Sequence, residues 1–186
     1  MMTLKLEQEV EVRSVQEASV LEEALEELLF VPEPVLKPKI VSRVVEYWAQ
    51  GFSKGLDQQI FVAHRGEKPV GLVACQVSPE FKSYSRSSGT FGWLHADSFP
   101  TCEALMERVE KFMLDLNMRK LRGPVNFPKG LGGLGIQTKG HSEQLLYGVA
   151  FGDPNARTLD YLEQLGYHKD AKYSCVHVTK SVWEKG

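Results

Sequence analysis

The apolar positions of the chain change period several times, and the order of those changes is a first outline of the fold. Val10, Val12 and Val15, with Glu9, Glu11 and Arg13 between them, predict a first strand with one buried face. Ala18, Leu21, Leu25, Leu28 and Leu29 then recur at helical spacing, with glutamates between them, which predicts an amphipathic helix with a solvated acidic face. Pro32, Pro34 and Pro38 break that pattern. A second helix follows, with Ile40, Val41, Val44, Val45 and Trp48 on one face and Gly51 and Gly55 at its end.

A hairpin comes next: a strand over 60–64, a turn over 65–69, and a long apolar strand over 70–77 suited to the centre of a sheet. Residues 78–89 are polar and predict a loop. Thr90–Ala96 predicts a further strand, with Phe91, Trp93 and His95 on one face and Gly92, Leu94 and Ala96 on the other. The clearest helix spans 101–116, its apolar face built from Cys102, Leu105, Met106, Val109, Phe112, Met113 and Leu116, with Pro100 and Thr101 at its start. Short strands are predicted over 119–125, 145–151 and 173–179, and a helix opens at Asp153 and ends at Gly166. Neighbouring strands joined by hairpins, with helices packed outside, give a mixed sheet in an α/β layer fold. The strands linked through helix 101–116 should run parallel.

The 186 residues fit one domain, and no linker or repeat divides them. Hydrophobic residues make up 42% and charged residues 25%, which excludes global disorder. A net charge of −2 argues against a nucleic-acid binder living on phosphate contacts. That total is an average. Residues 1–30 hold eight glutamates against Lys5 and Arg13, whereas Arg119, Lys120, Arg122, Lys129 and Lys139 face only Glu143 within 117–146. No apolar run approaches a membrane span, no secretory leader is expected at the N-terminus, and Cys75, Cys102 and Cys175 suit reduced thiols, so a cytoplasmic protein is expected.

Candidate chemistry is sparse. Gly130-Leu-Gly132-Gly-Leu-Gly135 matches a dinucleotide-binding spacing, but no helix signal follows it, and a turning loop is the better reading. The five histidines and three cysteines form no metal-ligand pattern. His95, at the end of a central strand and just before a helix, has the position and type of a general base, with Asp97 two residues on.

Three segments carry a resemblance. The hairpin FVAHRGEKPVGLVACQV, the TFGWLHA strand with the helix after it, and the late NARTLDYLEQLGY segment together resemble the GCN5-related N-acetyltransferase (GNAT) superfamily over about residues 9–180. More narrowly, Arg122-Gly-Pro-Val-Asn-Phe127 and Tyr161-Leu-Glu-Gln-Leu-Gly-Tyr167 are similar to a GNAT-like branch with an R-G-P-x-N-F segment. The resemblance implies a mixed, mostly antiparallel sheet with a splayed parallel pair, flanked by helices on both faces. It implies acetyl-CoA or a longer acyl-CoA bound between the fourth and fifth strands, a small-molecule or peptide amine as acceptor, and a possible homodimer.

Carried over residue by residue, the donor-binding positions are Leu94, His95, Ala96, Ser98, Thr101, Cys102, Asn126 and Asn155. The amides from Leu94 to Ala96 would polarise the thioester carbonyl. His95 would be the base, Asp97 its alternate, and Tyr161 the acid, with Tyr167 and Tyr147 as further candidates. The sequence departs from the family pattern twice: residues 97–103, where a glycine-rich pyrophosphate loop is usual, contain no glycine, and Leu162 stands where the tyrosine acid is usual. A GNAT-fold protein without acetyl transfer, acting as a ligand-binding or interaction module, is the alternative reading.

Overall fold

A computed structural model describes residues 9–78, 81–83, 86–139 and 156–174. Its main sheet has five strands: β1 (Glu11–Val15), β2 (Gln58–Arg65), β3 (Lys68–Gln76), β6 (Gly89–Ala96) and β7 (Leu121–Arg122), in the order β1-β2-β3-β6-β7. The first four pair antiparallel and β6–β7 is parallel. A two-residue hairpin, β4 (Lys82–Ser83) with β5 (Arg86–Ser87), interrupts the expected 78–89 loop.

Helices cover both faces. On one side α1 (Ala18–Leu28) and α2 (Lys37–Ser53), joined through a 3-10 turn at Pro34–Leu36, bury Leu21, Leu25, Ile40, Val41, Val44 and Trp48 against Ile60, Val62, Leu72 and Ala74. On the other, α3 (Phe99–Asp115) buries Cys102, Leu105, Met106, Val109 and Met113 against Phe61, Ala63, Val73, Cys75 and Phe91. The period-2 alternation of β2 and β3 therefore feeds two separate cores, which explains why both strands read as nearly continuous apolar runs. The short helix α5 (Thr158–Gln164) packs on the α3 side through Tyr161 and Leu162.

Two helix starts differ from expectation. Pro38 and Pro100 lie inside the first turns of α2 and α3. A proline there forgoes an N–H that has no intrahelical partner anyway, so it opens a helix without breaking it. The expected strand over 119–125 shrinks to two residues, although the Val125 amide beyond it still donates to the Phe91 carbonyl of β6. The expected strands over 145–151 and 173–179 and the helix start at Asp153 lie wholly or partly outside the described residues. Among the described residues no helix is long and apolar enough to cross a membrane.

Candidate functional site

The end of β6 carries an irregularity that sets the geometry around it. Ala74 pairs with Gly92 and Leu72 pairs with His95, so Val73 alone faces both Trp93 and Leu94. This is a β-bulge, and Trp93 adopts φ 50°, in the left-handed region that a bulky residue rarely enters. The extra residue shifts the side-chain alternation. Phe91 faces the α3 core, while Trp93 packs in the core under α1 and α2. His95, paired with Leu72, shares that second face. The expected common face for Phe91, Trp93 and His95 is thus corrected: the bulge separates Phe91 from the other two.

The bulge sits beside the only parallel pair of the described sheet. Gly89 pairs with Leu121 and Thr90 with Arg122, and the Val125 amide donates to the Phe91 carbonyl at 2.7 Å. There the main-chain ladder stops. Val125 bridges to Leu134, and a loop containing the one-turn helix α4 (Lys129–Gly132) closes between them. The next donor along β6, the Trp93 amide, is met by a side chain: it donates to Asn126 Oδ1 at 2.5 Å. Asn126 Nδ2 in turn donates to the Gly132 carbonyl at 3.0 Å, and the Trp93 indole N–H donates to the Phe127 carbonyl at 2.6 Å. Asn126 is buried, 3% exposed.

Close approach is possible only because glycines line the contact. A Cβ on Gly92 would lie 2.1 Å from the Val125 carbonyl oxygen, and one on Gly132 would lie 2.5 Å from both Asn126 Cβ and Trp93 Cζ2. The Gly130–Gly135 stretch is accordingly a helical turn and a loop, as the absence of a helix signal after it suggested.

At the start of α3 the chain supplies its own anion. Asp97 pairs with Arg65 at 2.6 Å and accepts hydrogen bonds from the hydroxyls of Thr101 at 2.7 Å and Ser98 at 3.0 Å. Burial raises the Asp97 carboxyl, but the Arg65, Thr101 and Ser98 hydrogen bonds outweigh it and hold the group below the usual carboxylate range. Asp97, expected as the alternate base, is thus engaged by Arg65, Thr101 and Ser98. The hydroxyls of Ser98 and Thr101 bond to Asp97, whereas the contacts expected at 97–103 are to backbone N–H groups. The Cys102 side chain is fully buried in the α3 core, and burial pushes its thiol up to about 11.

His95 is partly buried at the end of β6, and Leu94 and Ala96 beside it are partly buried against the α3 core. Tyr161 does not join His95. Its ring packs edge-on against Phe99 at 6.1 Å, under the Arg157 guanidinium at 5.8 Å, in the core on the α3 side. Tyr167 is also elsewhere: its hydroxyl donates to Glu110 Oε1 at 2.6 Å, and burial with the Glu110 carboxylate raises its pKa. Asn155, Tyr147, Cys175 and His177 lie outside the described residues.

A shallow cleft of about 340 Å³ opens between α2 and α4, lined by Arg43, Glu46, Tyr47, Gln50, Pro128 and Leu131. Its Tyr47 stacks on Phe127, centroids 5.9 Å apart and planes at 7°, and Phe127 is the residue whose carbonyl holds Trp93. The cleft thus lies on the same side of the sheet as His95. Sequence reasoning pointed to His95, Asp97 and Asn126. It did not anticipate the Trp93 amide, because a positive φ at a tryptophan has no sequence signal, nor the Arg65 pairing, which arises across 32 residues.

No family model and no curated protein matches the sequence. Solved structures do. A GCN5-related N-acetyltransferase from Ralstonia eutropha aligns over 91% of this chain and 99% of its own, at 11% identity and a TM-score of 0.55. A predicted acetyltransferase from Clostridium acetobutylicum, solved with acetyl-CoA, aligns over 91% and 96% at 9% identity and a TM-score of 0.55. Glucosamine-6-phosphate N-acetyltransferase from Arabidopsis thaliana aligns over 92% and 99% at 12% identity and a TM-score of 0.52. The fold of this chain is the GNAT fold: a mixed, mostly antiparallel sheet with one parallel pair and helices on both faces.

Proposed function

We propose that this chain is an acyl-CoA-dependent N-acyltransferase that moves an acetyl group to an amine. The observation that carries the reading is the bulge at Trp93 where the β6–β7 ladder ends, which turns one main-chain amide out of the ladder and towards the side chain of Asn126. An amide so directed is suited to a carbonyl oxygen that gains charge during acyl transfer. This moves the polarising role from the expected Leu94–Ala96 amides to Trp93. Acyl-CoA enters as donor substrate, and the likeness to a structure solved with acetyl-CoA supports that choice.

In this reading the amine lies in the cleft between α2 and α4, where the Glu46 carboxylate, paired with Arg43 of the same lining at 3.0 Å, is the anionic group. His95 takes the proton from the amine as its nitrogen attacks the thioester carbon. The new C–N bond forms, the C–S bond breaks, and the thiolate leaves. A thiolate of ordinary pKa, about 8.5 for a cysteine-like thiol, needs no dedicated protein acid. Tyr161, buried against Phe99, is not required.

A second reading has its own support. Asn126 stands on the Trp93 amide and Asp97 stands at the start of α3, so the two donor-binding positions hold side chains of the protein itself. A GNAT-fold ligand-binding or interaction module without acyl transfer accommodates both. Calorimetry with acetyl-CoA, followed by thiol release with a panel of amino sugars and peptide amines, separates the readings. Binding with release of CoA is the expected result. Absence of binding at high micromolar acetyl-CoA overturns the acyltransferase reading and favours the module.

A further inference from the structure

We infer that Asn126 is a specificity-determining latch: its carboxamide oxygen holds the Trp93 amide in place of a ligand carbonyl, and a ligand reaches that amide only by displacing it. The inference deepens the acyltransferase reading and rests on it.

The ladder shows where the side chain enters. Along β6 the β7 side is served by main chain as far as the Phe91 carbonyl, which accepts from Val125. The Pro124 carbonyl is taken by the Gly135 amide, and the Asn126 amide donates to the Gly133 carbonyl. The Trp93 amide is met at that point by the Asn126 side chain, whose Oδ1 accepts from it at 2.5 Å. A buried amide without a partner is costly, so the apo protein supplies Asn126 Oδ1.

The contact is also oriented. Because Nδ2 of Asn126 donates to the Gly132 carbonyl, the oxygen of the carboxamide is the atom left facing Trp93. What stands on the amide is therefore a planar carbonyl, the same group that a thioester would present. The latch is mounted on the Lys129–Gly132 turn, which packs on Trp93 through Gly132 and Phe127. Displacing the carboxamide breaks one buried hydrogen bond of neutral groups. A ligand that brings a carbonyl oxygen to the amide must offset that loss. Free CoA ends in its thiol where the acyl group would begin, and it has no acyl oxygen to put there.

The test compares acetyl-CoA with free CoA by calorimetry on the wild-type chain and on Asn126→Ala. Losing the competing hydrogen bond should tighten acetyl-CoA roughly threefold to tenfold, the weight of one ordinary buried hydrogen bond, while free CoA changes by less than about twofold. Circular dichroism checks that the variant is folded. If it is not, Asn126→Ser, whose hydroxyl is too short to span to Trp93, carries the same comparison. Binding by the variant alone supports the latch in its strongest form. Wild-type binding with no gain in the variant, or an equal gain for both ligands, overturns the latch and leaves the acyltransferase reading standing. Binding of neither ligand to either protein removes that reading and the latch with it.

Discussion

Arg65, the last residue of β2, donates from Nη1 to Asp97 Oδ2 at 2.6 Å and so ties the β2–β3 hairpin to the first turn of α3. The pair is about one-third exposed on each side, which limits its worth to about 1 kcal/mol or less. Its pH dependence has a definite sign. The folded-state pKa of Asp97 lies below its ordinary 3.8, so the stabilisation is fully present above that value and is lost as pH falls through the lower folded one. Asp97→Asn should melt roughly 2–4 °C below wild type at pH 7, the shift that about 1 kcal/mol makes in a chain of this size. Thermal melts should converge as the pH drops below about 4. A gap that survives unchanged to pH 2 would show that neutral hydrogen bonds, not the charge, carry the contact.

Gly92 and Gly130 should respond oppositely to the same substitution. At Gly92 an added methyl meets the Val125 carbonyl oxygen at 2.1 Å, main chain that cannot rotate away, so Gly92→Ala should cost about 1–3 kcal/mol or more and part β6 from the 123–127 segment. At Gly130 nothing lies within 4 Å of the added atom and the residue is helical, so Gly130→Ala should be neutral or stabilise by up to about 1 kcal/mol. Urea unfolding of the two variants checks both signs. Equal stability of Gly92→Ala and wild type would mean that the close approach of β6 and the 123–127 segment is absent in solution.

The fold was legible wherever burial drives pattern. The two faces of β2 and β3, the stripes of α1, α2 and α3, and the parallel direction of β7 follow from apolar spacing and chain connectivity. The site was legible only in part. His95 and Asn126 could be placed by type and by resemblance, but their relations depend on one inserted residue at Trp93, which flips the faces of β6 after Phe91. Asp97 followed His95 in the sequence and looked like a partner in proton transfer. In the structure it bonds to Arg65 and Thr101, the first 32 residues away, and such pairing has no local signature.

The described thiols should be inert. Cys75 and Cys102 are buried in the α3 core, and burial pushes their pKa up to about 12 and about 11. Since the thiolate is the reactive form, neither should react at pH 8 while the chain stays folded. In a Cys175→Ser background, Ellman's reagent should label no thiol in buffer and two in denaturant. Rapid labelling of the native protein would mean that the α3 core opens on the timescale of the assay.

If the protein transfers acyl groups, His95 and Tyr161 should differ sharply. His95 pairs with Leu72 and lies on the sheet face that Trp93 also shares, the side on which the proposed acceptor cleft opens. Losing a general base of this kind costs roughly 10²–10⁴-fold in rate and leaves the binding of a donor that it does not hold largely unchanged. His95→Gln should therefore lower kcat by that order with an acetyl-CoA Kd within about twofold of wild type, and an excess of a small imidazole or amine base should restore part of the rate. Tyr161 sits in the core on the α3 side against Phe99, so Tyr161→Phe keeps the packing and removes only a hydroxyl. Its kcat should stay within about twofold of wild type. The reverse ranking, with Tyr161→Phe inactive and His95→Gln active, would move the chemistry to the α3 face and would require α5 to shift before transfer occurs.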